Sequence, residues 1–246
     1  MLGTPSLARA QSSSNAFKLR YVLSTSLYGT LPIADIAAQA APLGCEGLDI
    51  WAGRWGNQRE QVEAMGSEAF TALLKKHGTR VHCYTCMDTG MVKAEPPMRA
   101  MRGFGGDTVI ALLSGTGGDK DKKGSDLRKA VQSQVEKLKP IIAAAGEVGA
   151  KLAIENHSGG LLAAPDAIRM MADAIPEKHV GLALAPYHLP QDAALLGRLV
   201  GDVAPRIHYF YAWQHGDGSG EIPTPQQVTQ LPGVGPLDFK PMRASL

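Results

Sequence analysis

The ten residues KLAIENHSGG, Lys151 to Gly160, decide how the whole chain is read. Lys151 to Ile154 is short and apolar, so it reads as a buried strand, and it runs straight into Glu155, Asn156 and His157 before a glycine pair stops it. An acid and an imidazole at the end of a buried strand need a reason, because burying a polar group without a partner is costly. Parallel barrels supply one, since their functional side chains project from the carboxyl ends of the strands. Strand alternation turns Glu155 and His157 the same way, towards such a mouth.

The same pattern recurs on both sides. Apolar runs begin near residues 19, 47, 80, 107, 151, 180 and 206, as LRYVLS, GCEGLDIW, RVHCYT, DTVIALLSG, KLAIENH, HVGLALAPYH and RIHYFYAW. Helix-like runs separate them: Pro32 to Ala41, Ser67 to Lys76 with a stop at His77-Gly78, and Ser125 to Ala145 with Ser125 as N-cap. Successive starts lie 26 to 33 residues apart except for one gap of 44. A βα unit needs about 30 residues, and strands this apolar belong in a parallel sheet covered by helices. The fold class is therefore α/β, a (β/α)8 barrel with seven strands visible and the eighth missing. Residues 212–246 show no further strand, so the chain reads as stopping inside its last unit, and truncation is the expectation.

Length agrees, since barrels of 200–250 residues form one domain and the chain has 246. Residues 17–246 are read as that domain and residues 1–16 as a disordered tail or signal-peptide remnant. Ala8-Arg9-Ala10 matches the small-x-small pattern of a signal-peptidase site without an apolar segment before it. The location is exported or periplasmic if that site is cut and cytoplasmic otherwise. Apolar residues make up 44 % and charged residues 20 %, an ordinary composition for a packed globule. A net charge of +2 provides no field for nucleic acid, and no apolar run approaches the roughly 18 residues of a membrane span. No nucleic-acid or membrane partner is expected; a homo-oligomer is compatible with the sequence.

Cys45, Cys83 and Cys86 are too few for a disulfide framework, and Cys83 and Cys86 fall on opposite faces of one strand. The stretch from Gly115 to Lys123 reads as a solvated loop lacking the Lys-Ser/Thr of a phosphate-binding loop. At the strand ends the candidates are Glu155 and His157, His188 after the sixth strand, His208 in the seventh and His215 beyond it. Asp49 and His82 are weaker ones. Neutral imidazoles and an ionised carboxylate could hold Zn, Mn, Co or Mg. The plainer reading is a strand-end Glu paired with a base and a His satisfied in an aromatic strand. Trp51, Trp55, Tyr84, Tyr187, Tyr211 and Trp213 also fall near strand ends, where aromatics stack on sugar faces or pack beneath helices. Arg54 reads as a surface residue.

The IENHSGG run, GLALAPYH some 30 residues on, the strand holding His208 and the PGVGPLDF segment (Pro232 to Phe239) together resemble the xylose-isomerase-like barrels of the sugar phosphate isomerase/epimerase type. The resemblance covers residues 17–246. It implies a divalent metal held by Glu155 and His208; the family's aspartate ligand falls on Ala185, and the remaining ligand belongs to the missing strand. It implies Glu155 and His188 as catalytic groups, and Trp51, Asn156, His157, Tyr187 and Trp213 around a small carbohydrate or sugar phosphate. The implied chemistry is metal-assisted proton transfer through an enediolate, inactive or weak in a chain lacking strand eight. Two alternatives are a lyase or hydratase acting on an oxidised sugar, and a non-catalytic carbohydrate-binding barrel.

Overall fold

The computed structural model describes residues 19–113, 117–216 and 225–246; the expectations for residues 1–16 lie outside them. Seven parallel strands pair in chain order: β1 (Val22–Ser24), β2 (Gly47–Trp51), β3 (Val81–Thr85), β4 (Thr108–Ala111), β5 (Lys151–Glu155), β6 (Val180–Leu184) and β7 (Ile207–Phe210). They curl into an incomplete barrel. Cys83, Ile110, Ala153 and Ala183 form a small inner core with Val22, Tyr209 and Tyr211, so the first and last strands share one interior. The larger core lies outside the sheet. There Leu48, Ile50, Tyr84, Leu152, Ile154, Leu182 and Leu184 pack beneath the helices.

The helices are α1 (Ile33–Ala40), α2 (Gln58–Met65), α3 (Ser67–Lys76), α4 (Glu95–Gly103), α5 (Gly124–Val148), α6 (Pro165–Ala174), α7 (Ala193–Val203) and α8 (Lys240–Ser245). Helix α5 carries Pro140 inside it, starts at Gly124 and is preceded by Lys123, so Ser125 is not its cap. Its C-terminus turns on Gly149 at φ +66°, a left-handed position where glycine has no Cβ to strain. The last helix packs on α7, where a Cβ on Gly197 would come within 2.7 Å of Pro241. No helix among the described residues is long and apolar enough to cross a membrane.

Two strand pairs carry the same irregularity. Between β2 and β3 the register runs Leu48↔Val81 and then Asp49↔Cys83, which leaves His82 as an extra residue. Between β6 and β7 it runs Leu182↔Ile207 and then Ala183↔Tyr209, which leaves His208. Both bulges sit in an Arg-Val/Ile-His sequence, and both face a glycine-leucine pair on the neighbouring strand. A Cβ on Gly47 would lie 2.8 Å from the Arg80 carbonyl, and one on Gly181 would overlap the Arg206 carbonyl and lie 2.8 Å from the His208 ring. Backbone, not a flexible side chain, blocks the space. Gly181→Ala is therefore expected to destabilise the fold by about 2–3 kcal/mol, the upper range for overpacking, measured as a lower denaturant midpoint at unchanged slope. An unchanged midpoint would show that the bulge relaxes freely.

Candidate functional site

Alternation along β5 places Leu152 and Ile154 in the outer core, Ala153 in the inner core, and hence Glu155 in the mouth of the barrel. The carboxyl is only 7 % exposed, and its Oε2 has no hydrogen bond of good geometry. Burial pushes its pKa up to about 8; the Tyr211 hydroxyl works against that rise and the Asp49 charge adds to it. His188, from the short turn after β6, brings its Nε2 to 3.8 Å from Glu155 Oε1. Burial, with His157 and His215 nearby, holds the His188 ring down to about 3, so it is a neutral acceptor. The His157 ring lies 4.0 Å from that of His188. A cavity of about 330 Å³ opens beside them, lined by Leu112, Leu113, Glu155, His157, Leu161 and Leu162 with three glycines.

An aromatic wall flanks this group. Tyr187 stacks on Trp213 at 3.9 Å and meets His188 and His215 edge-on. His215 Nε2 lies 2.6 Å from the Tyr187 carbonyl, and Trp213 donates to Gln230. Trp51 donates from its indole nitrogen to Asp49 at 2.7 Å. Asn156 is buried and engaged with the main chain on both sides of its amide: Nδ2 donates to the Ala185 carbonyl and Oδ1 accepts from the Ala185 N–H, at 3.0 and 2.7 Å. It clamps the end of β5 to the end of β6.

Glu155 and His208 do not come together. His208 lies beside the main chain at Leu152 and Lys178, with Lys151 and Arg206 as its charged neighbours. That is the level of the first residues of β5, three residues or about 10 Å along the strand from Glu155. The cause is the bulge. It places Tyr209 and Tyr211 on the inner face, so Tyr211 occupies the mouth position expected of His208. His82 is the other bulge histidine and lies among Asp107, Arg80 and Lys151 at the same far end.

Beneath the mouth runs a buried polar chain whose members Asp49 and Tyr211 the sequence offered only as separate candidates, and whose Ser24 and Thr85 it did not single out. Asp49 Oδ1 accepts from the Thr85 hydroxyl at 2.7 Å and Oδ2 accepts from Ser24 at 3.2 Å; the Thr85 oxygen lies 3.4 Å from Tyr211. Burial raises the fully enclosed Asp49 carboxyl to about 6 against these hydrogen bonds. Inward parity on β2, β3 and β7 was the only available signal. Of the other residues singled out, Tyr84 packs in the outer core, Arg54 sits over the exposed Trp55 ring, and the three cysteines are free, Cys83 and Cys86 lying in separate cores.

A curled parallel sheet with its polar groups at the carboxyl ends of the strands defines the TIM-barrel class of scaffold. The sequence profile of the xylose isomerase-like TIM barrel matches residues 37–246, and the chain belongs to that family. Solved structures with the same fold include the probable 3-DHS dehydratase AsbF of Bacillus anthracis, 12 % identical with a TM-score of 0.71 over 92 % of this chain and 88 % of that one. The 3-keto-D-glucoside 4-epimerase YcjR of E. coli is 15 % identical with a TM-score of 0.65, covering 93 % and 88 %. The IolI protein with a bound zinc atom is 13 % identical with a TM-score of 0.67, covering 92 % and 84 %. No curated protein matches the sequence. At these identities the likeness carries the fold alone.

Proposed function

We propose that the chain is a carbohydrate isomerase in which Glu155, assisted by His188, moves a proton on the carbon next to a sugar carbonyl. The observation that carries this reading is the buried Glu155 carboxyl, short of hydrogen-bond partners, opening on the cavity with a neutral imidazole 3.8 Å away. A general base works best with a pKa near the operating pH, and burial brings this carboxyl there. At neutral pH roughly one-tenth of it is ionised and can take the proton, and the acid so formed returns it to the adjacent carbon. His188, neutral near neutrality and too weak a base to take that proton outright, accepts a hydrogen bond from the substrate hydroxyl and orients it, while the hydroxyl proton passes to the carbonyl oxygen that becomes the new hydroxyl.

Two groups 3.8 Å apart act on one face of a substrate. Transfer between neighbouring carbons on one face gives an aldose-ketose interconversion, whereas epimerisation by two opposed bases needs a group on the far side. Removal of water from a β-hydroxy carbonyl uses the same one-sided arrangement and is the second reading, with a dehydratase among the similar folds.

A resident divalent cation fits the described residues poorly. Among them no group of three or more His, Cys, Asp or Glu is disposed to hold one; Ala185 contributes a methyl at the mouth, and His208 lies at the other end of its strand. Every step above therefore uses the chain's own groups. The test is incubation with aldoses and ketoses in deuterium oxide, followed by NMR. Deuterium at the carbon beside the carbonyl with formation of the isomer is expected, and loss of water instead selects the second reading. A protein that binds sugar with neither outcome is a binding module.

A further inference from the structure

We propose that the substrate is an uncharged monosaccharide or simple glycoside, not a sugar phosphate. The inference rests on the cavity beside Glu155 being the substrate site and goes on to its selectivity.

Among the described residues the cavity walls carry no cation. Leu112, Leu113, Leu161 and Leu162 form the apolar side, Gly117, Gly159 and Gly160 the floor, and Glu155 and His157 the ionisable contributions. A phosphate monoester brings about −1.5 to −2 charges at neutral pH. Such a group needs Arg, Lys, a helix N-terminus or free backbone N–H groups to replace its water. The glycine-rich turn looks suited to that role, yet its amides are engaged: Gly159 N–H donates to His157 Nδ1 and Gly160 N–H to the His157 carbonyl. Lys122, in the loop beyond Gly117, pairs with Asp119 at 3.0 Å, and Lys120 and Lys123 are exposed to solvent. His157 and His188 are both held neutral by burial.

The positive requirement matches the same walls. Four leucines favour the C–H face of a sugar or a small alkyl substituent, and the Glu155 carboxyl and the His157 imidazole supply the few polar contacts that orient it. A volume of about 330 Å³ is at the small end for ligand sites, which suits one sugar ring.

Gly117 provides the test. Among the described residues a Cβ there would meet only the Gly159 carbonyl at 4.0 Å, an ordinary contact, so Gly117→Lys adds a cation at the rim. Matched probes are D-fructose with D-fructose 6-phosphate and methyl glucoside with glucose 6-phosphate, titrated by saturation-transfer NMR into wild type and Gly117→Lys. The wild type is expected to bind the neutral member of a pair at least tenfold more tightly, and Gly117→Lys to narrow the gap at least tenfold by gaining the phosphate. A wild type that binds the phosphates as well as or better than their neutral partners, or that binds no member of either pair, overturns the proposal. Neutral sugar bound without isotope exchange sinks the proposed reaction and leaves this selectivity standing.

Discussion

Glu155→Gln lowers the rate of proton transfer by about 100- to 10,000-fold and at the same time makes the protein more resistant to alkali. Both effects come from one carboxyl. Removing a general base costs that much in rate, and the amide keeps the size and polarity of the side chain. Stability follows from proton linkage. Burial raises the folded-state pKa to about 8 from an ordinary 4.5, so the folded protein binds this proton more tightly than the unfolded chain does. The resulting stability is fully present below about pH 4.5 and drains away as the pH climbs through 8, by roughly 3–5 kcal/mol in all. The substituted amide cannot ionise and escapes the loss. Denaturant midpoints at pH 6 and pH 9 should converge for the variant and separate for the wild type, while the wild-type rate rises through about pH 8. Parallel loss of stability in both proteins would remove Glu155 as the buried titrating group.

Asp49→Ala is expected to cost about 3–5 kcal/mol, the largest stability loss predicted for this chain. The carboxylate is wholly buried and accepts from three donors on three strand ends: Ser24, the Trp51 indole and Thr85. Alanine leaves all three facing an apolar gap. Asp49→Asn keeps one acceptor and turns an amide N–H₂ towards donors, so it should fall between the two. Urea denaturation followed by Trp fluorescence measures the series. A loss below 1 kcal/mol for Asp49→Ala, under the ~1–3 kcal/mol cost of even one stranded donor, would show that water or rearrangement satisfies those groups. With Thr85 uncoupled from Asp49, the Tyr211 hydroxyl 3.4 Å away loses its fixed neighbour, so activity should fall along with stability.

The fold was legible because parallel strands buried on both faces read as apolar runs, and seven start points predicted from the sequence lie within three residues of those observed. Helices α6 and α7 were not singled out, and α2 and α4 were not legible. Helix α2 is polar apart from Val62, Ala64 and Met65, and α4 opens Glu95-Pro96-Pro97, which reads as a turn. At the candidate site, the proximity of Glu155, His157 and His188 was legible because each ends or closely follows its strand without an inserted residue. His208 was misplaced because strict alternation holds only until a residue is inserted, and nothing local distinguishes a bulge histidine from an inward one. The informative signal was internal: Gly47-Leu48 opposite Arg80-Val81-His82 repeats as Gly181-Leu182 opposite Arg206-Ile207-His208. A histidine used twice for the same strand geometry is a structural part. Asn156 shows the converse limit, since sequence does not reveal that its amide is engaged with the Ala185 main chain.

The Asn156 clasp has a consequence for how this barrel can diversify. It grips Ala185 by the main chain alone, through one carbonyl and one N–H, and takes no interest in what hangs from the Cα. Ala185 itself is only 2 % exposed, so at position 185 the backbone is fixed and the methyl is packed: a larger side chain would inherit the strand-end geometry and have to displace its neighbours. Change at this codon therefore costs packing rather than strand register, and needs compensating substitutions around it.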